Sequence, residues 1–367
     1  MGAGASALFG ACRYKDKNIA LIDKNPKIGA KLEISGGGKC NLTNRVLSYS
    51  NYFPKSSFVK EVLNRFSNKD LLNFLKQRGL NPVLRKENQY FCPKSSLELL
   101  NIFKKELSNI PIFLNHTVKN IYKEKDLFII ETDKNILKSE KVVISSGGLS
   151  FPKLGATDIA FKIAKNFGHT IYPLRPALVG FTVQKEEFWF KELSGISIES
   201  LVRVENKTFK DNILFTHKGI SGPAILNASL YWERGKIDID FLPNFDLNLK
   251  PSKKQISSIL PLPKRFTKRF LQEISLQDKP IEKLSKQDMK KLKILKNYSF
   301  SPAGTFGFSK AEVTKGGIDL NEIDIDSMMS KKEKNLFFIG ECLNATGELG
   351  GYNIQWAFSS AFNLEAF

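Results

Sequence analysis

The sequence predicts an α/β protein: a dinucleotide-binding core interrupted by a β-rich stretch and a basic helical stretch. Three observations carry this. A glycine turn, Gly2-x-Gly4-x-x-Ala7, is followed at Asp23 by an acid closing a short apolar run, Ile19–Asp23. A triple-glycine bend lies inside Ile34–Asn44, ISGGGKCNLTN. Composition changes near Pro176, Lys250 and Ala303. The length of 367 residues suits two or three domains. With 42% hydrophobic and 25% charged residues, the chain is ordinary for a globular protein.

The glycine turn opens the first helical segment, Ala7–Cys12. Glycines admit a pyrophosphate to the free N–H groups of a helix N-terminus. An acid about 20 residues further on accepts hydrogen bonds from a ribose. Gly2, Gly4, Ala5, Ser6, Asp23 and Lys24 are therefore expected at a dinucleotide. The strand that should precede the glycines is missing, since Met1 stands directly before Gly2. A short start, misassigned or truncated, is one expectation. The pattern Met1–Ser6 also matches a loose myristoylation signal; the phosphate turn accounts for the same glycines.

In the bend, Gly36, Gly37 and Gly38 permit positive φ and close backbone approach. Successive amides there can form an anion nest. Lys39, Cys40, Asn41 and Thr43 add a cation, a thiol, an amide and a hydroxyl. A surface loop needs no such set, so the bend is expected against a flavin dinucleotide.

Periodicity then gives a helix over Phe58–Arg78 and another over Leu97–Leu107, capped by Ser95 or Ser96. Strands are expected at Ile110–Phe113, Thr117–Tyr122, Leu127–Thr132 and Lys141–Ser145. Gly147-Gly148 follows the last of these, and a helix follows at Ala156–Phe167. Over 176–240, short β runs at Leu178–Val183, Leu201–Val204 and Ile237–Phe241 suggest a barrel or small sandwich. His217 lies inside this region as a candidate acid or base. Beyond Ala311, strand and turn patterns return. Asn335–Gly340 and Gly347–Trp356 end strands in glycine before a last helix.

The net charge is +19. Over 250–296, fourteen lysines and arginines face four acids, a local +10. Such clustering favours a polyanion such as RNA over solvated lysines alone. Lys264, Arg265, Lys268 and Arg269 are the chosen contacts. Four scattered cysteines and three scattered histidines give no metal framework, and the cysteine usage fits a reducing cytoplasm. No apolar run reaches the roughly 18 residues of a membrane span.

Six blocks together resemble the BaiN/RdsA (YhiN-like) family of FAD-dependent flavoproteins. They are GAGASA at 2–7, ISGGGKCNLTN at 34–44 and SGGLSFPKLGATDIAFKIAKNFGH at 146–169. LFTHKGISGPAIL at 214–226, AEVTKGGI at 311–318 and GECLNATGELGGYNIQWAFSS at 340–360 complete the set. The resemblance implies a Rossmann-like FAD domain split in sequence, 1–175 with 320–367. A β-barrel (176–249 with 303–319) and a helical domain (250–302) would be inserted. It also implies that Val118 presents backbone to the adenine. Gly36–Asn41, Gly147, Gly340, Glu341, Gly351, Asn353 and Ile354 would enclose the rest of the cofactor.

The implied chemistry is flavin redox. Reduction of a ribosomal-RNA uridine to dihydrouridine fits the basic stretch. The external electron donor would be a nicotinamide such as NAD(P)H, for which no second fingerprint exists in the chain. Alternatives are a small-molecule amine oxidase or ene-reductase, and a non-catalytic flavin-containing RNA-binding protein. Cys40 is the first candidate proton donor; Lys39 beside it is expected to lower the thiol pKa.

Overall fold

The computed structural model describes residues 1–86 and 88–366. The chain forms two compact units, Met1–Pro176 with Glu312–Phe367, and Ala177–Ala311. Three domains were expected, and two compact units are found.

In the first unit, Ala5–Arg13 is a helix buried along Ser6–Cys12. Its apolar residues recur too densely for a surface helix, and it is sandwiched by others. Phe9 packs against Phe66, Phe74 and Phe358, with ring centroids 4.8–5.1 Å apart. Two parallel strand pairs form the sheet: Leu21–Ile22 with Ile112–Phe113, and Val142–Ile144 with Leu336–Phe338. Met1 and Gly2 lie between the pairs. The Met1 amine donates to the Val143 carbonyl at 2.7 Å, Ser145 N donates to Met1 O at 2.9 Å, and Gly2 N donates to Ile22 O at 2.7 Å. Two residues thus hold the position where a full first strand was expected.

The long helix predicted over 58–78 is two helices, Ser57–Arg65 and Asn68–Lys76. Ser67 breaks it: its hydroxyl accepts from Asp70 N while the Asp70 carboxylate accepts from Ser67 N, a capping box. The helix Leu97–Glu106 starts without a side-chain cap from Ser96, whose hydroxyl donates to Glu33 O instead. Glu98 compensates by accepting from Lys94 N and Ser95 N. A three-stranded antiparallel sheet, Val118–Glu124, Leu127–Thr132 and Ile136–Ser139, follows. Another joins Asn41–Asn44, Gln89–Phe91 and Val83–Arg85.

Beyond the helix Ile159–Asn166 a polar clasp is buried. His169 Nδ1 lies 3.1 Å from Glu322 Oε2, and Nε2 lies 2.7 Å from Ser330 Oγ. Ser330 Oγ also accepts from the amides of Lys332 at 3.0 Å and Glu333 at 2.9 Å. Burial lowers the His169 pKa against the pull of Glu322.

The second unit is a seven-stranded sheet. In spatial order its strands are 298–300, 237–240, 197–204, 207–216, 219–221, 181–183 and 302–305. The two end strands are consecutive in sequence, with Ser301 alone between them. The chain therefore passes from one edge of the sheet to the other in one residue, which curls the sheet into a barrel. The basic segment is not a separate body. Its helix Lys264–Glu273 inserts Phe266 and Phe270 into the sheet's core, with Phe266 centred 4.9 Å from Phe241 and 5.6 Å from Phe215. Fully buried aromatic residues on both sides merge what composition alone separates.

Among the described residues, no helix is long and apolar enough to cross a membrane. No three His, Cys, Asp or Glu side chains among them gather to hold a metal ion.

Candidate functional site

The glycine turn begins the site. Gly4 caps the helix Ala5–Arg13 without a side-chain hydrogen bond, so the first amides of the helix keep their affinity for an anion. The two glycines differ in purpose. A methyl group on Gly2 would sit 2.7 Å from the Ser145 carbonyl oxygen, whereas one on Gly4 would meet nothing within 4 Å. Gly2 serves backbone packing; Gly4 opens onto free space. Asp23 fastens the turn itself, accepting from Ala3 N at 2.6 Å and from Asn25 N at 2.7 Å. Lys24 points to solvent, and Val118 is buried at the start of its strand.

The bend is built as its sequence demands. The helix from Ala30 breaks at Ser35, which is extended, and Gly36, Gly37 and Gly38 take φ of 58°, 66° and 80°. At these angles a side chain is strained. The bend folds back on Asn41, whose Nδ2 donates to Gln89 Oε1 at 2.7 Å. Asn41 Oδ1 is buried with no hydrogen-bond partner among the described residues. Ser146 Oγ, beside the glycine turn, is in the same condition. Buried acceptors and hydroxyls are normally paired, so these two, both in glycine-lined segments of one unit, are groups that a ligand there could satisfy.

A third segment is Gly147–Ser150. Thr314 Oγ1 accepts from Leu149 N at 2.8 Å and from Ser150 N at 3.2 Å. Gly148 has no room for a side chain, because a methyl group would lie 2.5 Å from Thr314 Oγ1. Thr314 N donates to Glu341 Oε1 at 2.9 Å, and Lys31 pairs with Glu341 Oε2 at 2.8 Å. Lys31, Ser146 and Thr314 are the site residues that sequence reasoning missed. The AEVTKGGI block contained the signal for Thr314 and the block opening at Ser146 that for Ser146; nothing local marked Lys31.

The last segment supplies a second helix N-terminus. Gly351, at φ 94°, precedes Tyr352–Phe362 without a side-chain cap. A methyl group there would lie 2.7 Å from the Thr43 backbone. Gly340, at φ 79°, approaches Ser6 equally closely. Asn353 is occupied within its own loop, bonding Gly347 N and O at 2.8 Å. Ile354 is half-buried. The turn, the bend, Gly147 and Glu341–Ile354 thus belong to one folded unit.

Cys40 sits differently from expectation. It is 0% exposed, at φ 47°, and its amide donates to Ser35 O at 2.9 Å. Cys92, also 0% exposed, follows the strand that pairs with Asn41–Asn44, and its amide donates to Lys39 O and Cys40 O. The adjacent Cys92 thiol and burial push the Cys40 thiol well above the ordinary range. The lowering expected from Lys39 is absent because Lys39 is exposed and its charge lies in water. His217 is exposed on the turn between strands 207–216 and 219–221 of the second unit.

The four basic residues chosen from sequence divide. Arg269 is engaged by Glu192 at 2.8 Å and Glu273 at 3.1 Å, and stacks over Trp189 at 5.6 Å. Arg265 donates to the Glu192 carbonyl. Lys264 and Lys268 are exposed, with no ion pair among the described residues.

The family of the HI0933-like protein Rossmann domain matches residues 1–365. A ribosomal RNA dihydrouridine synthase of Escherichia coli (strain K12) is 36% identical over 382 residues, covering 99% of this chain and 95% of that protein. A protein of the same name from Haemophilus influenzae is 35% identical, covering 99% and 96%. A 3-dehydro-bile acid delta(4,6)-reductase of Clostridium scindens is 26% identical, covering 99% and 96%.

Proposed function

The chain belongs to the HI0933-like Rossmann family, and on that premise we propose that it is an FAD-dependent oxidoreductase reducing a uridine of ribosomal RNA to dihydrouridine. The observation that carries this is 36% identity, over nearly the whole of both chains, to a protein named for that reaction.

The residues fit the cofactor. Two helix N-termini without side-chain caps, at Gly4 and Gly351, favour anionic groups, the first a pyrophosphate. Open space at Gly4 leaves room for it. Asn41 Oδ1 and Ser146 Oγ are buried groups that a ligand's donors and acceptors would satisfy. Asp23, already bonded to Ala3 and Asn25, holds the turn and keeps lone pairs for a ribose hydroxyl. Bound FAD, once reduced by an external donor, would supply the hydride for the C5–C6 double bond of the uracil.

The protein's own residues must then orient the base and deliver one proton. Cys40 has no surface to offer a base, so its thiol is not assigned the proton. The reductant is an external nicotinamide, and the compartment is the cytoplasm.

Two experiments test this. Ribosomal RNA from cells lacking the gene should contain less dihydrouridine by nucleoside mass spectrometry, and the gene should restore it. An unchanged content refutes the substrate. Separately, Cys40→Ala should leave RNA turnover intact; a fall on the order of 10²-fold with normal flavin reduction would return the proton to Cys40. The Clostridium scindens relative favours a second reading, reduction of a C=C bond in a small molecule. Turnover of an enone without RNA would support it.

A further inference from the structure

The basic helical stretch spends part of its charge internally. Besides Arg265 and Arg269, Lys279 pairs with Asp288 at 2.8 Å and Lys296 with Asp240 at 2.9 Å. A second basic surface lies on the first unit. Residues 34–60 contain four cations, Lys39, Arg45, Lys55 and Lys60, and no carboxylate.

We propose that the loop Arg45–Tyr49, with Lys39 and Lys86, seats the single-stranded RNA that flanks the target uridine. This rests on the RNA-substrate reading above and adds where the strand lies. Lys39, Arg45 and Lys86 are exposed, and none has an ion-pair partner among the described residues. Arg45 N donates to Asn88 O, and Asn88 N to Lys86 O, so the loop and the turn bearing Lys86 are adjacent. Between the cations the loop presents large apolar surface: Val46 is 60% exposed and Tyr49 39%.

That surface is held firmly. Asn44 Oδ1 accepts from Val46 N at 3.0 Å, Tyr352 OH donates to Val46 O at 3.1 Å, and Asn68 Nδ2 donates to Asn44 O and Arg45 O at 2.8 and 3.1 Å. A fixed loop exposing an aromatic ring among unpaired cations suits a partner with flat bases and a phosphate backbone. Bases stack on the ring and phosphates meet the cations. The same strand that ends in this loop carries Asn41 and Thr43, and Thr43 bonds Gln355 on the glycine-capped helix. RNA on the loop would therefore lie next along the strand from Asn41 and the glycine bend.

The test compares four flavin-loaded proteins: wild type, Arg45→Gln with Lys86→Gln, Tyr49→Ala, and Lys264→Gln with Lys268→Gln. Affinity for a single-stranded RNA oligonucleotide is measured across a salt series, with flavin content checked in each. The Arg45/Lys86 variant should flatten the log–log salt slope by about 1.4, two phosphates at roughly 0.7 each. Tyr49→Ala should weaken binding at least about fivefold. If these two variants bind as wild type does and only the Lys264/Lys268 variant loses slope, the loop is not the seat and the RNA reading stands. If wild type binds no RNA and cellular dihydrouridine is independent of the gene, the RNA reading falls and takes the loop with it.

Discussion

Replacing Thr314 with valine isolates the contact that holds the Gly147–Ser150 segment in shape. Valine keeps the volume and branching of threonine but has no oxygen. Thr314 is 1% exposed, and its Oγ1 accepts from two amides, Leu149 N and Ser150 N. Each amide left without a partner in a buried setting costs about 1–3 kcal/mol. Leu149 is half-buried, so its share lies at the lower end. The expected loss is therefore about 2–5 kcal/mol. Thr314→Ser keeps the oxygen and removes one methyl group, at about 1 kcal/mol. Chemical denaturation of the flavin-free protein gives both values, and flavin titration of the same samples reports whether the segment still binds. A valine variant within about 0.5 kcal/mol of wild type would refute the reasoning. So would a serine variant as damaged as the valine one, since the loss would then follow volume and not hydrogen bonding.

Gly351→Ala forces a side chain into the left-handed region and against the Thr43 backbone; a loss of about 2–5 kcal/mol is expected by denaturation, with lower flavin occupancy. Glu187 is buried with Oε2 unpartnered, and burial raises its pKa above the usual 4.5, with Glu186 adding to the effect. Its folded form favours the proton, so its contribution is intact below pH 4.5 and lost as pH rises through the raised pKa; Glu187→Gln should melt higher than wild type at neutral pH, by a margin that shrinks on acidification. Burial pushes the Glu322 carboxyl up, but Lys332 and Thr170 outweigh it and bring it down to about 2. Its stabilisation is present above 4.5 and lost as pH falls toward 2, so the thermal advantage of wild type over Glu322→Gln should disappear across that window.

The parts of the site legible in the sequence were those where one residue type alone satisfies the backbone. Gly36–Gly38, Gly340 and Gly351 take positive φ, and two of them, Gly36 and Gly351, lie against another backbone, which is why glycine clusters marked them. Asp23 lies at the turn, and its bonds run to Ala3 and Asn25. Partnerships across long sequence distances were not legible. Thr314 reaches Leu149 over 165 residues, and Lys31 reaches Glu341 over 310. Cys40 was read from Lys39 beside it, whereas Cys92, more than 50 residues away, fixes its surroundings. Arg269 read as a free cation because Glu192, 77 residues earlier, carries no local signal. The helix break at Ser67 was readable: serine followed three residues later by an acid is a capping signature, masked by the apolar periodicity on both sides.

The buried clasp at His169 has the outline of a hydrolytic relay. A serine oxygen 2.7 Å from one imidazole nitrogen and a carboxylate 3.1 Å from the other would pass any distance filter for a nucleophilic serine. Burial removes it. Ser330 is 2% exposed, so an acyl group has no space to approach its oxygen. That oxygen is also held by the backbone, accepting from the amides of Lys332 and Glu333. What distinguishes a fastener from a catalyst here is access to the oxygen, and a search for catalytic geometry that weighed burial beside distance would discard this one.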